Sequence, residues 1–208
     1  MEGGLLYSGG KDSTLAACLL EGLCEVTCCC GTFGVTDSHR RARRVGRELG
    51  FETTVLDLDP DVARAAVEEM VADGYPRAGI QRVHEHAMEQ VAREWPAVAD
   101  GTRRDDSAPT VDRRLAQSLE DRFDVVHLAP LAGVGRGAVD RLVDTHLTVE
   151  TGPSEELATG DYEAELRALM RAEHGQATVE AVFPEHVQSR VTGRATERPG
   201  PGPGPDHE

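Results

Sequence analysis

The stretch Gly4-Leu5-Leu6-Tyr7-Ser8-Gly9-Gly10-Lys11-Asp12-Ser13-Thr14-Leu15 decides how the rest of the chain is read. Gly4 to Tyr7 is a short apolar run stopped by Ser8-Gly9-Gly10, the pattern of a buried strand entering a glycine turn. From Ser13 to Glu21 the spacing of Leu15, Ala16, Leu19 and Leu20 predicts one apolar helix face, and Gly22 follows as a stop. A strand, a glycine turn and a helix in that order make an anion cradle. The glycines let backbone N–H groups converge, and the helix N-terminus adds partial positive charge. Ser8, Ser13 and Thr14 add hydroxyl donors. Lys11 supplies a mobile point charge suited to a phosphate. Asp12 would repel such a ligand unless a divalent cation bridged them, so the loop itself calls for Mg2+. A plain strand-to-helix turn would explain the glycines but not the polar residues crowded around them. The loop is not a Walker A. Leu5 stands where that pattern needs a glycine, and Asp12 stands where it needs Ser or Thr.

Outward from this loop, strand and helix patterns alternate. Further strands are predicted over residues 25–32, 53–58, 97–100 and 125–128. Helices are predicted over 38–50, with Ser38 as cap, over 60–73, opened by Pro60, and over 80–94, 111–122 and 136–145. Such alternation over residues 1–147 indicates an α/β fold with a mostly parallel sheet. Residues 148–194 differ, with one charged helix over 161–172 and a mixed segment after it, and are expected to pack on the first part as an extension. Residues 195–208, which carry Pro-Gly-Pro-Gly-Pro-Gly-Pro, are expected to form a disordered tail. There is no internal repeat.

Ser8-Gly9-Gly10-Lys11-Asp12-Ser13 resembles the SGGxDS loop of the N-type ATP pyrophosphatases, the PP-loop enzymes. That group includes GMP synthetase, NAD synthetase, asparagine synthetase, 7-cyano-7-deazaguanine synthases, diphthine ammonia ligase and several tRNA thiolation and lysidine enzymes. Two further segments are similar to the family and fall in the right order. Gly101-Thr102-Arg103-Arg104-Asp105-Asp106 resembles its GTxxDD segment, and Pro130-Leu131 followed by Arg136 resembles PLxxxxK, with arginine replacing lysine. The resemblance spans about residues 3–147 and implies a doubly wound, five-stranded sheet of order 3-2-1-4-5. It also implies that ATP is split between its α- and β-phosphates, that a carbonyl or carboxyl oxygen of a substrate is adenylated, and that pyrophosphate leaves. The acceptor would be a small molecule or tRNA, and the product an amide or a thiolated group. On this reading Ser8, Gly9, Gly10, Lys11, Ser13 and Thr14 take the β- and γ-phosphates, and Asp12 and Asp106 contact Mg2+. Gly101 and Thr102 belong to the segment that helps hold metal and substrate, and Arg136 steadies the departing pyrophosphate. Thr32, Phe33 and Gly34 follow the second strand, where relatives take adenine by backbone contacts. Phe33 would pack either on that ring or in the core.

Composition bounds the alternatives. Lys+Arg number 22 against 37 Asp+Glu, a net charge of −15, and 21 of the 22 are arginine, leaving Lys11 as the only lysine. A chain this acidic, with 4% aromatics, is a poor generic phosphate-backbone binder and lacks a stacking platform for single strands. Excess carboxylate with arginine in place of lysine suggests a salty, halophilic cytoplasm, where screening tolerates self-repulsion. No run approaches the roughly 20 apolar residues of a membrane helix, and no basic leader opens the chain, so a cytoplasmic protein is expected.

Cys18, Cys24 and the run Cys28-Cys29-Cys30 are an odd, clustered set, not a disulfide framework. Consecutive strand residues alternate faces, so the run reads as buried strand cysteines, not as a metal or persulfide site. His84 and His86 do not share a helix face and read as ordinary histidines. Arg40 to Arg47 reads as a solvated helix face salted against nearby carboxylates, and residues 183–194 as a stabilising strap or a lid. No glutaminase is visible, since Glu2 stands where an N-terminal nucleophile would need cysteine. An amide-forming role therefore needs free ammonia or a separate amidotransferase, a sulfur-transfer role needs a sulfur donor, and a homodimer stays open. The competing class is a regulatory module that holds ATP or AMP without turnover, with which Gly133-x-Gly135-x-Gly137 is compatible.

Overall fold

A computed structural model of the chain describes residues 1–153, 160–184 and 187–195. The expected tail beyond Ala195, and Glu185 and His186 in the C-terminal segment, lie outside the described residues. The first strand, β1 (Glu2–Leu6), pairs in parallel with β2 (Glu25–Thr32) on one side and β4 (Ala97–Ala99) on the other. β3 (Glu52–Asp57) lies outside β2 and β5 (Val126–Leu128) outside β4, so the parallel sheet runs β3-β2-β1-β4-β5. This is the order the resemblance implied. The order in which the chain adds strands reverses between β1 and β4, which opens a crevice beyond their C-terminal ends, the usual ligand position in a doubly wound sheet.

Strand alternation sends one set of side chains to each face of this sheet. On one face Leu6, Cys29, Leu56 and Val98 meet helices α3 (Pro60–Asp73), α4 (Arg77–Glu94) and α5 (Arg113–Phe123). On the other, Leu5, Cys28, Cys30 and Ala99 meet α1 (Lys11–Leu20), α2 (His39–Glu48) and α6 (Arg136–His146). The short central strands are buried on both sides and read as continuous apolar runs, as parallel strands do. Pro60 stands in the first turn of α3 as expected, and Asp59 before it caps the helix by accepting from the Asp61 backbone N–H at 2.9 Å.

The structure departs from the sequence reading in several places. α1 begins at Lys11, not Ser13, so Lys11 and Asp12 sit in its first turn, and α4 begins at Arg77. Ser38 does not cap α2. It takes a helical backbone conformation, and its hydroxyl donates to the Asp161 carbonyl at 3.5 Å instead. Residues 147–194 hold the helix expected over 161–172, α7 (Tyr162–His174), and, unforeseen, a second helix α8 (Gln176–Val182) and an antiparallel pair, β6 (Leu147–Pro153) with β7 (Val187–Arg194). The hairpin buries Val191 in the α1/α2 core, while α7 and α8 bury Leu166, Met170, Val179 and Phe183 in the α3/α4 core.

Leu166 is fully buried among residues of the main sheet's core. Leu166→Ala is therefore expected to lower unfolding free energy by about 2–5 kcal/mol in a single urea transition. A cost below about 1 kcal/mol, or a separate early transition for this region, would show that α7 is not part of the common core.

Candidate active site

The loop Ser8–Gly10 leaves the end of β1 and turns into α1. Gly9 adopts φ +75°, a left-handed conformation that a side chain would strain. The loop braces itself: the Gly10 N–H donates to Ser8 Oγ at 3.3 Å, Ser8 and Ser13 hydroxyls lie 3.1 Å apart, and Ser13 Oγ donates to the Gly10 carbonyl at 3.2 Å. No side chain caps the N-terminus of α1, so its first-turn amides point outward with the partial positive charge of the helix end. Ser8, Gly9, Gly10, Lys11 and Ser13 thus come together as expected. Thr14 does not join them. Its hydroxyl is buried and bonded to the Tyr7 phenol at 3.0 Å, so it faces the core.

Gly101, after β4, packs directly on this loop. A Cβ on Gly101 would lie 2.8 Å from the Ser13 backbone nitrogen and Cα, so only glycine allows the two segments to touch. That contact delivers Thr102, Arg103 and Asp106 to the mouth. Arg103 binds Asp106 through its backbone N–H at 2.8 Å and its Nε at 3.0 Å, and lies 3.6 Å from Asp12. Asp105 accepts from the Arg136 backbone N–H at 3.0 Å, which ties the start of α6 to the same segment. Lys11 reaches across to Asp140 of α6.

Asp12 is the unsatisfied member. Its Oδ1 is buried and has no hydrogen-bond partner. Burial pushes the Asp12 pKa up, while Arg103 and Lys11 pull it back. A buried carboxylate oxygen without a donor is costly and is relieved by a cation. The residues at this point therefore fit Mg2+, with Asp12 as first contact. Asp106 lines the same pocket, with both of its oxygens taken by Arg103.

Two connected pockets open here. The inner one, about 210 Å³, is walled by Leu6, Tyr7, Gly31, Ile80, Pro109 and Tyr162, with Ser8, Asp12, Ser13, Thr102 and Asp106 at its rim. The outer one, about 500 Å³, carries Lys11, Arg103, Arg136 and Arg167 beside Asp12 and Glu163. Residues of the C-terminal segment, Phe183, Pro184, Val187, Gln188 and Ser189, close its far side. The segment read as a strap or a lid thus lines the pocket through residues 183–184 and 187–189, and β7 is tied to the loop by the Val191 N–H donating to the Gly9 carbonyl at 3.4 Å.

The segment after β2 departs from expectation. Glu165 of α7, fully buried, accepts from Thr32 Oγ1 at 2.8 Å, the Phe33 N–H at 2.5 Å and the Thr36 N–H at 3.2 Å. Thr32 and Phe33 are therefore held by the protein's own carboxylate, the Gly34 N–H donates to Thr32 Oγ1 at 3.0 Å, and the Phe33 ring packs in the core. Glu165 and Asp140 carried no sequence signal, since each meets its partner from about 130 residues away. His84, read as ordinary, is buried 2.6 Å from Asp100 and 2.8 Å from the Tyr162 hydroxyl. Its pairing with Asp100, 16 residues on, was equally invisible. The cysteines behave as read. Cys28 and Cys30 face one core and Cys29 the other, and burial pushes the Cys30 thiol up to about 12 and the other two higher.

Two outcomes follow from these environments. In native protein, Cys18 and Cys24, the partly exposed pair, should react with Ellman's reagent while Cys28, Cys29 and Cys30 stay silent until unfolding. Fast modification of all five would refute the buried assignment. Burial opposes ionisation of Asp100, but hydrogen bonds from His84 and Thr102 outweigh it and hold its pKa below the ordinary 3.8. Its stabilising contribution is thus complete above that value and is lost as pH falls toward the depressed one. Asp100→Asn should flatten the acid limb of a stability–pH profile, and an unchanged limb would contradict this.

Comparison with known proteins places the chain. A solved structure from Methanocaldococcus jannaschii, described as a predicted subunit of tRNA methyltransferase, is 35% identical and superposes with a TM-score of 0.86. It covers 95% of this chain and all of that one. An uncharacterized protein of Methanocaldococcus jannaschii is 36% identical over 197 residues, 93% of this chain and 96% of that protein. The U34-tRNA thiolase NcsA of Methanococcus maripaludis, solved with its 4Fe-4S cluster, is 18% identical with a TM-score of 0.44, covering 69% of this chain and 55% of that one. The model of DUF7411, a family of unknown function, matches residues 1–193, and the chain belongs to that family.

Proposed function

We propose that the protein is an ATP pyrophosphatase that adenylates an acceptor, with tRNA the favoured acceptor. The observation that carries this is the buried, partnerless Asp12 oxygen at the uncapped start of α1, between Lys11 and Arg103. A phosphate chain supplies what this arrangement lacks. Its oxygens accept from the loop amides and Lys11, and the Mg2+ it carries answers Asp12. The description of the similar structure as part of a tRNA methyltransferase supports tRNA as the acceptor.

Attack on the α-phosphorus makes pyrophosphate the leaving group, so catalysis is positioning and charge neutralisation. Ser8, Gly9, Gly10, Lys11 and Ser13 hold the β- and γ-phosphates, and Lys11 exchanges Asp140 for them. Asp12 and Asp106 would hold Mg2+, which spreads the charge gathering on the departing pyrophosphate. Arg136, at the start of α6, steadies that group. Because Glu165 holds the segment after β2, the nucleoside meets the apolar walls of the inner pocket, Leu6, Gly31 and Ile80. The acceptor approaches through the outer pocket, so residues 1–147 supply the phosphate-binding groups and 148–194 shape access to them. Ammonia, a separate amidotransferase or a sulfur donor supplies the final nucleophile.

The reading is tested with α-labelled ATP and Mg2+ at high salt, with and without total tRNA or cell extract. Wild type should release AMP and pyrophosphate, and Lys11→Ala and Asp12→Asn should each abolish this while melting normally. Wild-type turnover in either variant would remove the loop from the mechanism. ATP bound without AMP under every condition would favour the regulatory binding module.

A further inference from the structure

Three chemistry-bearing side chains from three elements meet at the wall of the inner pocket. His84 comes from α4, Asp100 from the residue after β4, and Tyr162 from the first turn of α7. Asp100 Oδ1 accepts from the Thr102 backbone N–H at 3.2 Å and its hydroxyl at 3.0 Å, and Oδ2 lies 2.6 Å from His84 Nε2. An ionised carboxylate only accepts, so Nε2 carries the ring proton of neutral His84. Nδ1 then accepts from the Tyr162 hydroxyl at 2.8 Å. The phenol's proton is thereby committed to the histidine, and its oxygen lone pairs remain to accept.

Tying three elements together does not require this set. Apolar side chains of similar volume would do so without desolvating a carboxylate and an imidazole. His84 and Asp100 are 3% and 1% exposed, yet both line the pocket, with Tyr162, opposite Ser8, Asp12 and Ser13 of the loop. An acceptor oxygen backed by a neutral imidazole and a carboxylate, beside a phosphate cradle, is the layout of a general base with its orienting group.

We propose that Asp100, His84 and Tyr162 form a proton relay that deprotonates the nucleophile bound in the inner pocket. The proposal rests on the pyrophosphatase reading above. As the nucleophile's lone pair forms its new bond, its proton passes to Tyr162 Oη, and the phenol's own proton passes to His84 Nδ1. With an adenylated acceptor, ammonia or an amine attacks the activated carbon, and the C–O bond to AMP breaks with its electron pair leaving on AMP. With ATP alone, water attacks the α-phosphorus, and the bond to pyrophosphate breaks with its electron pair leaving on pyrophosphate. His84 ends as an imidazolium against Asp100 and resets by releasing a proton to solvent. Asp100 is a positioning residue, holding the ring and its tautomer. The other charged or titratable groups facing this set are His127 of β5, Asp161 and Glu163 beside Tyr162, and Asp12 and Asp106 across the pocket.

The test uses the full chain with ATP and Mg2+, water serving as nucleophile, and reads AMP formation against pH. Wild-type rate should rise through one inflection and level off, because the base must be neutral. His84→Gln and Tyr162→Phe should each lower the plateau by about 100-fold and remove the inflection. The double variant should be no slower than either single one. His127→Gln should keep the wild-type profile. Added imidazole should restore part of the rate to His84→Ala. Tyr162→Phe deletes one oxygen from a partly accessible residue, so it decides the matter even if the His84 variants fail to fold. A wild-type rate and profile in Tyr162→Phe, or an inflection that moves with His127, would overturn the relay and leave the pyrophosphatase reading standing. Wild type that forms no AMP, with or without tRNA, would sink that reading and the relay with it.

Discussion

The close approach of Gly101 to the first turn of α1 is the constraint on which the site depends. With 2.8 Å between a Cβ there and the Ser13 backbone, no side chain can intervene, so the segments leaving β1 and β4 touch backbone to backbone. Everything else in the crevice follows from that contact. It sets Asp100 behind the pocket, Thr102 and Asp106 at its rim, and Arg103 within reach of Asp12. The sheet order makes the contact available, because β1 and β4 are neighbours whose connections leave on opposite faces.

The electrostatics of the chain are concentrated here in an unusual way. A molecule of net charge −15 gathers its single lysine and three arginines around one pocket. Lys11 is matched by Asp140, Arg103 by Asp106 and Arg167 by Glu163. The network is therefore close to neutral, with a buried oxygen of Asp12 and a buried nitrogen of Arg167 left without hydrogen-bond partners. Pairing holds these long side chains at the mouth in defined positions, at the cost that a charged partner must be exchanged before Lys11 can turn to anything else.

Much of this was legible in the sequence, and the pattern of what was not is physical. The strand after Met1, the glycine turn and the alternation that follows are local signals, and they located every strand of the parallel sheet. The alternation of Cys28, Cys29 and Cys30 across two cores follows from strand geometry alone. The failures are long-range. Thr14 turned inward because Tyr7 offered it a partner, Ser38 gave up its cap for Asp161, and Glu165 took the donors after β2 from a helix 132 residues away. Pairings of that span depend on how elements pack, which propensity and periodicity do not encode. The β6–β7 hairpin escaped notice for the same reason, since its strands are separated by two helices.

One feature of that late segment bears on how the protein is made. The Gly160 N–H donates to the Ser8 carbonyl at 3.2 Å, and Val191 reaches Gly9. The loop after β1 is synthesised early, yet two of its carbonyls find their partners only after residues 160 and 191 have left the ribosome. The nascent chain thus carries the loop long before it has the segments that complete its hydrogen bonding. The loop reaches its final bracing only when β7 comes to lie over the first turn of α1, nearly two hundred residues after the turn itself was made.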